Sequence, residues 1–147
     1  MKLIYRILLI IHLFVGVGAL FGGAAAIADP HQPLGVPAEL LEGSPFGSYL
    51  IPGLILFVVI GLGHMLSALT AIKKSEWQGY ISSVFSWALM IWIVVQVIII
   101  NQVVFLHVLY FFLGLAGAVM AMRILFERRQ FPANIILALI RKENIKG

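Results

Sequence analysis

Apolar residues in this chain come in four long runs, over residues 3–27, 49–72, 79–100 and 103–126, with short polar breaks between most of them. No carboxylate falls inside any run. Each run matches the roughly 20 helical residues that cross a hydrocarbon core. Only Asn101 and Gln102 separate the last two. One unbroken helix through both would be about 70 Å long at about 1.5 Å per residue, and no bilayer is that thick. The pattern therefore predicts a tight helical hairpin near Asn101. The expected fold is all-α: an antiparallel bundle of four transmembrane helices in a single membrane domain, residues 1–147.

The breaks carry their own information. Residues 28–48 form the one long connection and contain four prolines and three glycines, which prevents a regular helix throughout. Pro37 to Leu41 reads as one short turn with Pro37 at its first position. Leu34, Val36, Leu40, Leu41 and Phe46 are too apolar for a solvated loop, so the segment is expected to fold back as a cap on the bundle's outer end. Pro52 fits the first turn of the second span. After residue 126 a tail runs to residue 147, and its apolar part is too short to span. Ile135, Ile136, Leu139 and Ile140 share one face, with Asn134, Ala138 and Arg141 opposite. This predicts a short interfacial helix on the inner leaflet, or a helix that binds a cytoplasmic partner.

Charge sets the orientation. The net charge is +4, which elsewhere can signal nucleic acid, but here the basic residues sit at the ends of apolar runs. Lys2 and Arg6 open the first run, and Lys73 and Lys74 lie between the second and third. Arg123, Arg128, Arg129, Arg141, Lys142 and Lys146 close the fourth or follow it. The other two connections have none. The positive-inside rule places both termini and the Lys73–Lys74 turn in the cytoplasm. Tyr5, Trp77 and Tyr80 mark the inner interface and Tyr49 the outer one, while Trp87 and Trp92 lie deeper. A rival reading makes Lys2 and Arg6 the n-region of a signal peptide cleaved after Ala26-Ile27-Ala28, but the apolar run exceeds the usual h-region.

Composition agrees with a lipid environment. Hydrophobic residues make up 62 % and charged residues 11 %, and the mean hydropathy is +1.07. A soluble fold of this size cannot hide that much apolar surface. The chain has no cysteine, which excludes disulfide staples, thiolate metal sites and thiol redox chemistry.

Candidate chemistry is sparse. The spans lack the carboxylate that ion-coupled carriers use, and no protease pair, His-Glu-x-x-His, Walker or Gly-x-Ser-x-Gly motif is present. What remains inside the spans is His12 and His64 at one expected level and Gln96 and His107 at a second. Two histidines on facing helices can hold a haem iron or a metal. They can also hydrogen-bond between helices, as Ser67, Thr70, Ser82, Ser83 and Ser86 can. No metal or other cofactor is assigned. Asp29, Glu39 and Glu42 give the outer loop an acidic face, for solubility or for docking. Gly18 and Gly22, with Gly114, Ala118 and Ala121, form small-residue stripes that serve packing within the bundle or self-association.

Four runs carry a resemblance: Leu40-Leu41-Glu42-Gly43-Ser44-Pro45-Phe46, Leu50-Ile51-Pro52-Gly53-Leu54-Ile55-Leu56, Ile91-Trp92-Ile93-Val94-Val95-Gln96-Val97 and Tyr110-Phe111-Phe112-Leu113-Gly114. Over residues 3–122 the chain resembles a broad group of small bacterial four-helix integral membrane proteins with no established activity. The resemblance implies a bacterial inner-membrane protein. With catalytic motifs missing, the expected role is that of a non-enzymatic accessory or interaction subunit of the envelope. The alternatives are a small oligomeric transporter or channel, and a lipid-, quinone- or haem-binding protein.

Overall fold

Lipid offers the backbone no hydrogen-bond partners, so an apolar run must pair its own N–H and C=O groups, and a helix does this within one segment. The computed structural model describes residues 2–146, with side chains up to residue 142. Met1, Gly147 and the side chain of Lys146 lie outside the described residues. All regular structure among those residues is helical. Helices α1 (Lys2–Ala28), α2 (Leu50–Ile72), α3 (Gln78–Ile100) and α4 (Phe105–Glu127) are each long and apolar enough to cross a membrane. A fifth helix, α5, covers Ala133–Lys146.

Several boundaries differ from the apolar pattern by one or two residues. Helix α3 starts at Gln78, one residue early, and that side chain is fully buried. Helix α4 starts at Phe105, two residues late. The hairpin between them needs those residues: Asn101 adopts a left-handed conformation at φ 53°, and Val104 is extended as the N-cap. Asparagine tolerates the left-handed region better than most residues. Pro37 also shifts role, since it is extended and precedes the 3-10 turn at Ala38–Leu41 instead of opening it.

The four long helices form a ring in chain order, and the diagonal pairs make no close backbone approach. The α1–α2 seam is tight because glycines line it. Ala26 meets Gly53, Gly23 meets Phe57, Leu20 meets Gly61 and Gly16 meets Met65. A methyl group on Gly23 would lie 2.7 Å from the Phe57 backbone nitrogen. The α3–α4 seam uses Gly114 against Met90 and Ser86, and Gly79 against Leu125. Val15, Ala19, Ile60, Leu89 and Ile93 fill the centre. Trp92 joins this core, whereas Trp87 is 53 % exposed on the outside.

Helix α2 is not uniform. Residues Leu56–Leu62 are wound as a π-helix, which hydropathy cannot anticipate. Such widened turns are rare and concentrate at functional sites. This one stands directly before His64.

The long connection rests partly on the helix ends. The Tyr49 N–H donates to the Pro30 carbonyl at 2.8 Å, and its hydroxyl donates to the Pro37 carbonyl at 3.2 Å. Leu41 and Phe46 pack with Ala26, Tyr49 and Ile99. Leu34 and Val36 stay exposed instead. At the opposite end, Arg128 donates to the Ser75 carbonyl and Gln130 to the Glu76 carbonyl, each at 3.0 Å. These bonds tie the start of the tail to the α2–α3 turn. Beyond it Ile135, Ile136, Leu139 and Ile140 are all exposed.

The seam makes a sharp prediction about neighbouring glycines. Gly23→Ala should cost about 1–3 kcal/mol through overpacking. Gly22→Ala, whose added methyl meets only the Leu56 side chain at 3.4 Å, should be neutral or stabilising, since alanine favours helix. Thermal unfolding of the two variants in detergent separates them, and equal midpoints would refute so close a seam.

Candidate functional site

The interior holds two polar levels. The one nearer the α2–α3 turn is built by three helices. α1 contributes His12, α2 contributes His64, Ser67 and Thr70, and α3 contributes Gln78, Ser82 and Ser86, all buried. Residues four apart share a helix face, so the α3 trio forms one inward stripe. The His12 and His64 rings lie side by side, with centroids 5.1 Å apart and planes inclined by 59°. His64 Nδ1 donates to the Ile60 carbonyl at 2.9 Å. A carbonyl only accepts, so Nδ1 carries the proton. Ser67 and Thr70 likewise turn back on their own helix, donating to Gly63 and Ser67 carbonyls at 3.0 and 2.8 Å.

His12 differs from these. It is wholly buried, and neither ring nitrogen has a hydrogen-bond partner in the protein. The side chains of Gln78, Ser82 and Ser86 share this condition. A buried polar group without a partner costs about 1–3 kcal/mol, and within the chain these side chains bond no helix to another. Rings 5.1 Å apart are within the 4.5–7 Å range of touching aromatic pairs. That contact leaves no layer for a porphyrin between them. Among the described residues no three His, Cys, Asp or Glu side chains converge as a metal site would require.

The level nearer the long connection is different in kind. A cavity of about 210 Å³ opens among α1, α2, α3 and α4, and Trp92, Gln96, His107 and Tyr110 are its polar lining. It thus brings together Gln96 and His107, which the sequence pairs, and keeps them apart from His12 and His64. The Val104 N–H donates to His107 Nδ1 at 3.3 Å, the half of a capping box usually supplied by Glu or Gln. In a neutral ring the other nitrogen, Nε2, then carries the proton. The Trp92 indole N–H is buried without a partner. The lining is therefore rich in donors: indole and imidazole N–H, a phenol and an amide. A second groove of about 320 Å³ adjoins on the α3–α4 side, sharing Ile93 and His107, with Val97, Val108 and Phe111 among its walls.

The remaining candidates have local roles. Asp29 accepts the N–H groups of His31 and Gln32 at 3.3 and 3.1 Å, closing a turn. Glu39 and Glu42 are exposed. Burial raises the Tyr49 hydroxyl above the usual 10.0, and nearby Glu39 adds to the shift. Gly18 faces Tyr110, Gly22 faces Leu56 and Gly114 faces Met90, while Ala118 is buried. All four positions are occupied by contacts within the chain. The sequence pattern does not single out Gln78, which precedes the third run, or Tyr110, which stands there only within a run that carries the resemblance. The four-residue interval from Gln78 through Ser82 to Ser86 was the available signal for the first.

The chain matches no protein-family model, no curated protein and no solved structure.

The histidine pair can be told apart by substitution. His64→Leu should lower stability by about 0.5–1.5 kcal/mol, the net worth of the bond it gives to the Ile60 carbonyl. His12→Leu removes no hydrogen bond within the chain and should be neutral or stabilising. The measurement is again thermal unfolding in detergent. A larger loss for His12→Leu would mean that its ring nitrogens have a partner in the folded protein.

Proposed function

We propose that the chain is a non-enzymatic integral membrane protein of the bacterial inner membrane, acting as an accessory or interaction subunit of the envelope. In this reading the four spans run antiparallel, both termini are cytoplasmic and residues 28–48 cap the outer end. The opposite order of contacts along the α1–α2 seam supports the antiparallel arrangement. The clustering of Lys2, Arg6, Lys74 and Arg128 at one end supports the orientation. The exposed apolar face of α5 suits the inner leaflet.

The observation that carries the functional reading is the apolar middle of the bundle. Leu8, Val15, Ile60, Leu89 and Ile124 are at most 2 % exposed. The apolar core of Val15, Ala19, Ile60 and Leu89 contains no polar side chain to link the two levels. A substrate has no polar route to His12, and an ion has no polar path through one bundle. What the protein offers its surroundings is its surface. Cross-linking in intact membranes, with a photoreactive residue at Val94 or Phe112 on the exposed α3–α4 face, should trap a reproducible protein partner. A monomer that cross-links only to lipid would remove this reading. Topology is checked separately with reporters at residues 43 and 147, which should report the periplasm and the cytoplasm respectively.

One observation favours a second reading, a lipid- or quinone-binding protein. The donors around the 210 Å³ cavity suit a carbonyl-bearing amphiphile whose tail follows the adjoining apolar groove. A short-chain quinone should quench tryptophan fluorescence saturably, and Tyr110→Phe with Gln96→Leu should weaken binding about tenfold or more through lost hydrogen bonds. Quenching that stays linear and unchanged in the variant would exclude the site.

A further inference from the structure

At the end of the bundle away from the long loop, the first turns of α1, the α2–α3 turn and the end of α4 enclose a recess of about 510 Å³. Four cations converge there: Lys2 and Arg6 from α1, Lys74 from the turn, and Arg128 just past α4. Among the described residues none of them has a carboxylate within ion-pair distance, since the ion pair found there joins Arg123 to Glu127 instead. Like charges gathered around one concavity repel, and an anion among them relieves the repulsion.

The recess is built as well as charged. The Arg128 guanidinium is fixed by its 3.0 Å bond to the Ser75 carbonyl and by stacking over the Tyr5 ring at 5.7 Å, inside the reach of a cation–π contact. Lys2, Arg6 and Lys74 are exposed and free to close on a ligand. The wall then continues as Leu9 and Ala71 on the spanning parts of α1 and α2. A charged mouth that opens onto an apolar flank fits an amphiphile better than a soluble ion.

We infer that this recess binds the phosphodiester headgroup of an anionic phospholipid, with an acyl chain passing Leu9 along the α1–α2 flank. Basic pockets between transmembrane helices hold anionic headgroups by the same physics. Inorganic phosphate shares the charge but cannot use the flank. The site is separate from both polar levels of the interior and requires only that the helices lie in a membrane.

The test uses the full chain in detergent, with native mass spectrometry after adding phosphatidylglycerol or phosphatidylcholine at equal concentration. The wild-type protein should retain the anionic lipid about fivefold or more over the zwitterionic one. Arg6→Gln with Lys74→Gln should bring the two lipids to parity. Arg141→Gln with Lys142→Gln removes the same charge from α5 and should keep the preference. Inorganic phosphate at the lipid's concentration should leave the lipid bound. No preference in the wild type overturns the proposal, and so does an equal loss in the α5 variant. Displacement by phosphate would make this a free-anion site and overturn the lipid assignment. If the double variant does not fold, Lys2→Gln and the wild-type preference decide the matter.

Discussion

Everything in this bundle depends on how closely α1 and α2 approach. Inside a membrane the hydrophobic effect does not press helices together, because lipid is as apolar as leucine. Van der Waals contact and backbone proximity do that work, and glycine permits both. Gly23 lets the Phe57 backbone come near, and Gly61 does the same for Leu20. This seam fixes the level at which His12 meets His64.

The polar interior follows from that closeness. His64, Ser67 and Thr70 satisfy themselves on their own helix. They need no neighbour and contribute little to holding helices together. His12, Gln78, Ser82 and Ser86 find no partner at all. Packing, more than polar contact, therefore holds the helices together. At the end nearer the long connection His107 caps the start of its own helix, and the cavity beside it is lined by donors.

Much of the fold was legible in the sequence because apolar length is a direct physical requirement of the bilayer. The four helices lie within two residues of the runs that predicted them at every end, and the reversal at Asn101 followed from length alone. Those signals need no knowledge of neighbours. The candidate site was only half legible. Depth counted along each run put His12 level with His64, and Gln96 with His107. Helix depth says nothing of ring contact, of the cavity, or of Trp92 turning inward while Trp87 turns out. The loop was misjudged in part for a similar reason: Leu34 and Leu41 are equally apolar, yet only Leu41 finds a surface to cover. The recess at the basic end escaped notice because Lys2, Arg6, Lys74 and Arg128 come from three separate stretches of chain.

The π-wound stretch at Leu56–Leu62 changes what the second span is. A wide turn takes in one residue more than an ordinary one, which shifts the angular phase of the following helix by about 100°. The two halves of α2 are thus screws of the same hand cut at different starting angles. Contacts with α1 recur every four residues, at Gly53, Phe57, Gly61 and Met65, and an ordinary helix would turn the last of them about 120° away from the first. The extra residue taken up by the wide turn cancels about 100° of that drift, so one face of α2 stays against α1 along its length.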